Sequence, residues 1–298
     1  MMVIESIQDR LSRGGYAPRT LESYTRLTNL VSSHPLAWLP VEDPRARDAA
    51  QSLINSQLVA GHGRTAEQLY VWLRTCCPDL MATIPRPRYQ RRRPVYMSAD
   101  DATRLLKAAE GTPVWLAIAL ALSCGLRRGE LCGLRWSDIE MSATRCVINI
   151  RQQVQRLPGA GLVARQPKTE SGVRYMAIPR HLTEALAERY LIAQADGLLR
   201  GQKPVYVLEG PKGGPMDPSA LSRAVQAACE AAGVRCTLHG LRHTMASIGA
   251  CAGVPMPVLQ AILGHASPQT TAQYYTHAYS DAVETGLETI NKRLKFIY

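Results

Sequence analysis

Apolar residues recur at helical spacing along most of this chain. Leu21, Tyr24, Leu27 and Val31 follow Thr20, which reads as an N-cap, and Leu69, Tyr70, Trp72 and Leu73 mark a second apolar helix beyond the breaker Gly61-His62-Gly63. Residues 1–84 are therefore expected to form a small helical domain. The periodicity then stops: Pro85, Pro87 and Pro94 block regular structure, and 85–97 reads as an interdomain linker. A second domain, 98–298, opens at Ser98, where Asp100 and Asp101 complete the composition of a helix start. The run VWLAIALALSC that follows is apolar on every side, which predicts a buried helix ended by Gly125.

Strand-like patterning is confined to the middle of the second domain. TRCVINIRQQVQ and GVRYMAIP have strand composition and flank the Gly-rich stretch LPGAGLVARQPKTES, so a small antiparallel sheet is expected, with VYVL as a candidate further strand. From Asp217 the signals are helical again, in three segments stopped by Gly233, Gly253 and Gly264. The fold class is mainly α with a small antiparallel β-sheet: a helical domain followed by an α+β domain. No internal repeat or low-complexity segment appears.

Composition narrows the partners. With 298 residues, 46% of them hydrophobic, the chain suits two globular domains with their own cores. The net charge of +11 draws the protein toward a polyanion, and nucleic acid is the commonest such partner. Five of those charges, Arg86, Arg88, Arg91, Arg92 and Arg93, crowd the linker without an acid among them, as a strap along DNA phosphates would require. A solvated basic loop is the plainer alternative. No apolar run reaches membrane-spanning length and the N-terminus lacks a secretory pattern, so a cytoplasmic protein is expected, without a membrane partner. The eight cysteines include no CxxC pair and read as reduced core thiols, so no metal site and no cofactor are expected.

Chemistry gathers in four blocks. Metal-free cleavage of a phosphodiester needs fixed cations against the non-bridging oxygens, a nucleophile in line, and a proton donor for the leaving alkoxide. Arg127 lies in GLRRGELCGLRWSDI, at the start of the helix after Gly125. Arg242 follows His239 by three residues in HGLRHT, so both face one side of a helix. Two guanidiniums can fork one phosphate. Lys168, in PKTESGVR, sits at the turn between the two strand-like stretches, where a long side chain can reach a cleft. His265 closes LGH, and Tyr274 and Tyr275 follow in QYYTH. A tyrosine's ordinary pKa of about 10 leaves roughly 0.1% ionised at neutral pH, so such a nucleophile depends on neighbouring cations and a base.

In their order and rough spacing these blocks resemble the successive motifs of the tyrosine recombinase (phage integrase) family, over residues 120–280. The resemblance implies a SAM-like helical core-binding domain at 1–84 and a catalytic domain at 98–298. It implies that Arg127 and Arg242 clamp the scissile phosphate, Lys168 protonates the leaving 5′-hydroxyl, His239 takes or positions the nucleophile's proton, and His265 hydrogen-bonds the phosphate or nucleophile. Tyrosine attack would give a 3′-phosphotyrosyl link that conserves bond energy, so no ATP is needed. The implied partners are double-stranded DNA with a specific recombination site, a homo-tetramer on that DNA, and an excision or architectural protein. The implied chain lacks the extra N-terminal arm-binding domain of larger integrases.

Two family spacings select different nucleophiles: nine residues after the LGH histidine gives Tyr274, and ten gives Tyr275, which also opens a Tyr-x-His block. Tyr275 is the preferred reading. The continuation YTHAYSDA resembles integrases of conjugative transposons, which favours integration or excision of a mobile element. Xer-like resolution of chromosome or plasmid dimers, and a catalytically idle DNA-binding regulator of the same fold, are the alternatives. Arg128 competes with Arg127, and a surface salt bridge to Glu130 is the plainer alternative for either, while Glu130 and Asp138 read as structural. Arg145, Arg151, Arg156, Arg165 and Arg174 line the predicted strands as possible phosphate contacts, only some of them on the right face. The tail, with Phe296 as the sole phenylalanine, is expected to pack on its own domain or on a neighbouring protomer.

Overall fold

The computed structural model describes residues 1–90, 96–142, 145–167 and 172–272. Lys168, Tyr274, Tyr275, Arg91, Arg92, Arg93 and the tail lie outside these. The chain divides into two compact units, Met1–Arg93 and Pro94–Tyr298.

The first unit is helical: α1 (Val3–Ser12), α2 (Pro18–Ser32), a 3-10 turn at Pro35–Trp38, α3 (Pro44–Val59), α4 (Gly63–Cys76) and the short α5 (Pro78–Met81). Its core closes on Trp72 of α4, which is fully buried and donates its indole N–H to Thr28 Oγ1 of α2 (3.3 Å). Tyr24 stacks on the indole at 4.0 Å, and Tyr16 meets both rings edge-on. Thr20 is not the cap of α2. The helix starts earlier because Pro18 occupies its first position with φ already set, and Ala17 is the N-cap. The first residues of the expected linker pack on this unit. Arg86 pairs with Glu67, the Tyr89 hydroxyl donates to the same carboxylate (3.0 Å), and the Tyr89 ring lies on Gly63, where a Cβ would stand 2.4 Å from it.

The second unit contains α6 (Ala99–Ala109), α7 (Trp115–Cys124), α8 (Arg128–Gly133), a 3-10 turn at Trp136–Asp138, strands β1 (Ile139–Met141), β2 (Cys146–Ile150), β3 (Gln153–Leu157), β4 (Gly161–Arg165) and β5 (Arg174–Ala177), then α9 (Arg180–Arg200), α10 (Pro218–Ala231), α11 (Leu238–Cys251) and α12 (Met256–Leu263). Ser98 caps α6 by accepting the Asp101 amide, as its sequence predicts. The apolar α7 forms the centre, packed by α6, α9 and α11. Each fully buried Leu or Ile there contributes about 1.5–3 kcal/mol. The Thr244 hydroxyl of α11 accepts the Met97 amide (2.9 Å) and donates to the Gly240 carbonyl (2.9 Å), which fastens the entry segment onto the core.

The sheet differs from expectation in three respects. β2 pairs with β5, antiparallel, with Ile148 opposite Met176, but β1 adds an unforeseen edge strand in the order β1-β2-β5. The predicted strand over 144–155 breaks at Arg151-Gln152, and the Gly-rich stretch supplies a second hairpin, β3-β4, with Gln153 opposite Arg165. VYVL forms no strand. It runs beside the end of α8 as backbone hydrogen bonds from Trp136 to the Val205 carbonyl and from Val207 to the Leu134 carbonyl, with one isolated bridge, Arg135 to Tyr206. Of the cysteines, none is disulfide-bonded and six are buried; burial pushes the Cys124 and Cys132 thiols up to about 12. Cys76 is half-buried and Cys251 exposed, so not all eight are core residues.

Gly125 ends α7 in the left-handed region (φ 63°), and a Cβ there would stand 2.9 Å from Leu263 Cδ2 and 3.4 Å from Met245 Sδ. Gly125→Ala combines backbone strain with this clash and is expected to cost about 1–2 kcal/mol. In a unit of this size that lowers the thermal midpoint by about 3–6 °C in a calorimetric scan; an unchanged midpoint would contradict the packing described.

Candidate active site

Three elements distant in sequence bring arginines to the C-terminal end of α12. Helix ends carry backbone carbonyls without intrahelical partners and the negative end of the helix dipole, so they attract guanidinium groups. Arg174 of β5 donates from Nε to the Ile262 carbonyl (2.8 Å), Arg242 of α11 donates to the Leu263 carbonyl, and Arg127 donates from Nη2 to the Gly264 carbonyl (2.8 Å). The acceptors are consecutive residues, with Cα atoms about 3.8 Å apart. Gly264 ends the helix in the left-handed conformation (φ 58°), and His265 follows directly.

Each guanidinium has a second anchor. Arg242, 1% exposed, also donates to the Gly125 carbonyl. Arg127 is the extended residue before α8, and Glu130, three residues on, accepts both its backbone N–H (2.8 Å) and its Nη1 (2.7 Å). Arg174 grips the same carboxylate from the other side, Nη1 to Oε1 at 3.1 Å and Nη2 to Oε2 at 2.9 Å, and it donates to the Gly172 carbonyl as well. Burial would raise the Glu130 pKa. The hydrogen bonds and charge of Arg174, followed by the amide and charge of Arg127, overcome this and hold it down to about 2. Glu130 is therefore an ionised, 2% exposed bridge between two arginines.

Three histidines complete the cluster. His265, 9% exposed, shares a hydrogen bond with the buried Thr271 hydroxyl through Nδ1 (2.9 Å). Desolvation, then the charges of Arg242, Arg127, His243 and Arg174, pull its pKa down to about 4. Thr237 caps α11 by accepting the Gly240 amide (3.0 Å), which sets His239 in the first turn with its edge open to solvent. The packed atoms beneath that ring, then Arg242, Arg127 and Arg128, lower its pKa. His243 meets His239 edge-on, centroids 4.4 Å apart, and is pulled to about 4 by desolvation, then His239 and Arg242. All three imidazoles are accordingly neutral at pH 7. The arrangement presents cations and neutral proton acceptors together, as an incoming phosphodiester requires.

Of the residues singled out by sequence, the structure gathers Arg127, His239, Arg242 and His265 here. Arg86 and Arg88 belong to the first unit, and Lys168, Tyr274 and Tyr275 lie outside the described residues. Arg128 turns to Ser222 Oγ (3.1 Å) instead of Glu130, and Asp138 accepts the Arg135 amide, a structural role as expected. Two of the strand arginines depart from the phosphate-facing reading: Arg156 pairs with Asp217, and Arg174 is turned inward with only 7% of its side chain exposed. Sequence reading left open which of the strand arginines face a phosphate, and Arg174 is one that turns inward. Among the described residues no group of three or more His, Cys, Asp or Glu could hold a metal ion, and no helix is long and apolar enough to cross a membrane.

Glu130→Gln leaves Arg174 buried without its counter-charge and is expected to cost about 3 kcal/mol at pH 7, measured by chemical denaturation. The sign of its pH dependence follows from the lowered pKa. Stability from the ionised carboxylate is fully present above its ordinary value near 4.5 and is lost as pH falls toward 2, so wild type and variant should converge across that window. A gap that stays constant down to pH 2 would contradict the bridging role.

Residues 95–281 match the phage integrase family. The chain is 28% identical to a XerC-like tyrosine recombinase of Caldanaerobacter subterraneus subsp. tengcongensis over 65% of its own length, and that match spans about half (53%) of the relative. It is 26% identical to an integrase of Streptomyces ambofaciens, covering 95% of this chain and 78% of that one. Its fold is that of the Tn1549 transposon integrase solved in complex with transposon right end DNA: TM-score 0.81 at 22% identity, over 97% of this chain and 99% of the other. With the family's motif blocks in order and their arginines and histidines drawn to one helix end, the chain belongs to the phage integrase family.

Proposed function

We propose that this protein is a tyrosine-type site-specific recombinase, which cuts and rejoins DNA strands through a 3′-phosphotyrosyl intermediate. The observation that carries this reading is the anchoring of Arg127 and Arg242 on neighbouring carbonyls at the end of α12, beside His265. Guanidiniums fixed in this way meet the growing charge of a phosphoryl-transfer transition state without reorganising, an effect worth orders of magnitude in rate. Arg127 and Arg242 hold the non-bridging oxygens of the scissile phosphate. Tyr275 attacks phosphorus in line, its proton passing to His239, which is neutral and so able to accept it. The bond from phosphorus to the 5′-oxygen breaks, and Lys168 protonates that oxygen. His265 hydrogen-bonds the phosphate. Attack by the 5′-hydroxyl of another strand reverses each step and releases the tyrosine.

In this reading residues 1–84 are a core-binding domain, 85–97 a basic connection and 98–298 the catalytic domain. Arg88, Arg91, Arg92 and Arg93 contact phosphates, while Arg86 is already paired to Glu67. Exchange between two duplexes involves four strands, each cut by one tyrosine, so the working assembly is a tetramer on DNA. The substrates are the ends of a mobile element, a choice supported by the tail block and by the likeness over most of the chain to the Streptomyces integrase. The XerC-like relative favours a second reading, resolution of chromosome or plasmid dimers. Recombination of paired test sites separates them: the first reading joins the two dissimilar ends of an element, the second only two copies of one site.

A nicked suicide substrate built from DNA flanking the gene should trap a covalent adduct that Tyr275→Phe abolishes and Tyr274→Phe retains. Full adduct formation by Tyr275→Phe would sink the choice of nucleophile; specific DNA binding with no adduct on any site would point to an idle regulator. Arg242→Lys loses the forked geometry and should slow single-turnover cleavage by at least about 10²-fold.

A further inference from the structure

We infer that the groove at the far end of α8, walled by Arg135, Arg151 and Arg165, is a second phosphate seat, which holds a flanking phosphate of the strand whose scissile phosphate lies at Arg127 and Arg242. This rests on the proposed action on DNA, and none of the three arginines belongs to the cluster at α12.

The groove has a volume of about 470 Å³ and lies between the 3-10 turn at Trp136–Asp138, the β2-β3 connection and the end of β4. Its geometry is set by neighbours on every side. Gln152 donates to the Gly133 carbonyl (2.7 Å), which ties the β2-β3 connection to the last turn of α8. Arg135 is bridged through its backbone to Tyr206, its amide is held by Asp138, and its guanidinium lies over the Tyr206 ring at 5.6 Å. The Nε of Arg135 is shielded from solvent yet has no acceptor among the described residues. Arg135 therefore keeps donor capacity that no described residue satisfies. Arg151 and Arg165 are exposed on the opposite rim, and Gln166 beside them adds a neutral donor. Asp138 is the one acid in the lining; it is 7% exposed and already engaged by the Arg135 amide, so the groove is lined by three arginines and a single buried carboxylate.

Position identifies the occupant as DNA backbone. Arg127 stands at the start of α8 and the groove at its end, and six helical residues at about 1.5 Å each separate them by about 9 Å. Successive phosphates of one strand rise about 3.4 Å along the DNA axis, so a seat at this distance lies within a few nucleotides of the phosphate at Arg127. The segment carrying Lys168 also leaves from this rim, two residues after Gln166. Guanidiniums lining an open groove suit a phosphodiester.

The test is the salt dependence of duplex binding, measured by fluorescence anisotropy. Each phosphate contact contributes about 0.9 to the slope of log affinity against log salt. Arg151→Gln/Arg165→Gln replaces two exposed side chains that make no hydrogen bond among the described residues, and should flatten the slope by about 1 and weaken binding about tenfold at 0.1 M salt. Lys203→Gln/Lys212→Gln removes the same charge from the α9–α10 connection, at two exposed side chains with no ion pair among the described residues, and serves as the matched control. Equal effects of the two doubles would overturn the seat, because bulk charge would then account for both. In a parallel arm tripolyphosphate is titrated in a thermal-shift assay. Protection of wild type that the groove double loses, without a specific change in the DNA slope, would assign the groove to free polyphosphate and also overturn the proposal. A wild type with no salt-dependent duplex affinity would remove both the seat and the recombinase reading. A wild type that forms the covalent adduct, with a groove double matching its control, removes the seat alone.

Discussion

The carbonyl end of α12 is the constraint on which the site depends. Arg174, Arg242 and Arg127 donate to Ile262, Leu263 and Gly264 in turn, across sequence separations of 88, 21 and 137 residues. A hydrogen bond from a charged donor is worth about 1.5–3 kcal/mol net, and here each one also removes an unsatisfied carbonyl from a helix terminus. One short helix end therefore stabilises itself and sets the spacing of the guanidiniums in the same interactions. It also explains the location of His265: the left-handed Gly264 turns the chain out of the helix, and the next residue falls beside the arginines that shift its pKa.

Glu130 makes this crowding tolerable. Three guanidiniums within one cluster repel one another, and a carboxylate with only 2% exposure, held by two of them, offsets part of that repulsion while it orients both. Among the described residues the balance remains positive, since three cations meet one anion and the histidines are neutral. A bound phosphodiester supplies negative charge at the point of surplus and relieves the cationic fields that depress the three imidazoles. The resting protein is thus electrostatically incomplete in a way that an anion corrects.

Much of this was legible in sequence where the chemistry is local. The Ser98 cap, the all-apolar α7, and the stops at Gly125, Gly233, Gly253 and Gly264 follow from side-chain type, and each of these glycines has a positive φ. Arg127, His239, Arg242 and His265 were found because they sit in compact blocks. Features that depend on tertiary partners were not legible. Arg174 looks like a surface residue until Glu130 is seen behind it, and strand alternation states only that its neighbours point the other way. Gly159 and Gly161 read as loop formers although they turn a hairpin. The 21-residue α9 went unpredicted because Leu182, Leu186, Ala193 and Gly197 are its few buried positions amid polar and exposed apolar residues.

The way a guanidinium is held decides what it can still do. Arg156 and Arg86 are matched to Asp217 and Glu67, pairings that largely cancel their charge for any third party. Arg127 divides its donors between Glu130 and a carbonyl, and Arg242 takes the carbonyls of Gly125 and Leu263. A carbonyl fixes the direction of an N–H without neutralising the cation behind it, so an arginine held in this way keeps its field for an approaching anion. Backbone carbonyls anchor Arg242 at 1% exposure without themselves neutralising it, whereas the Glu130 carboxylate that anchors Arg174 offsets its charge. The same cluster therefore contains arginines suited to hold a substrate and one suited to hold the site together, and the acceptors they meet distinguish them.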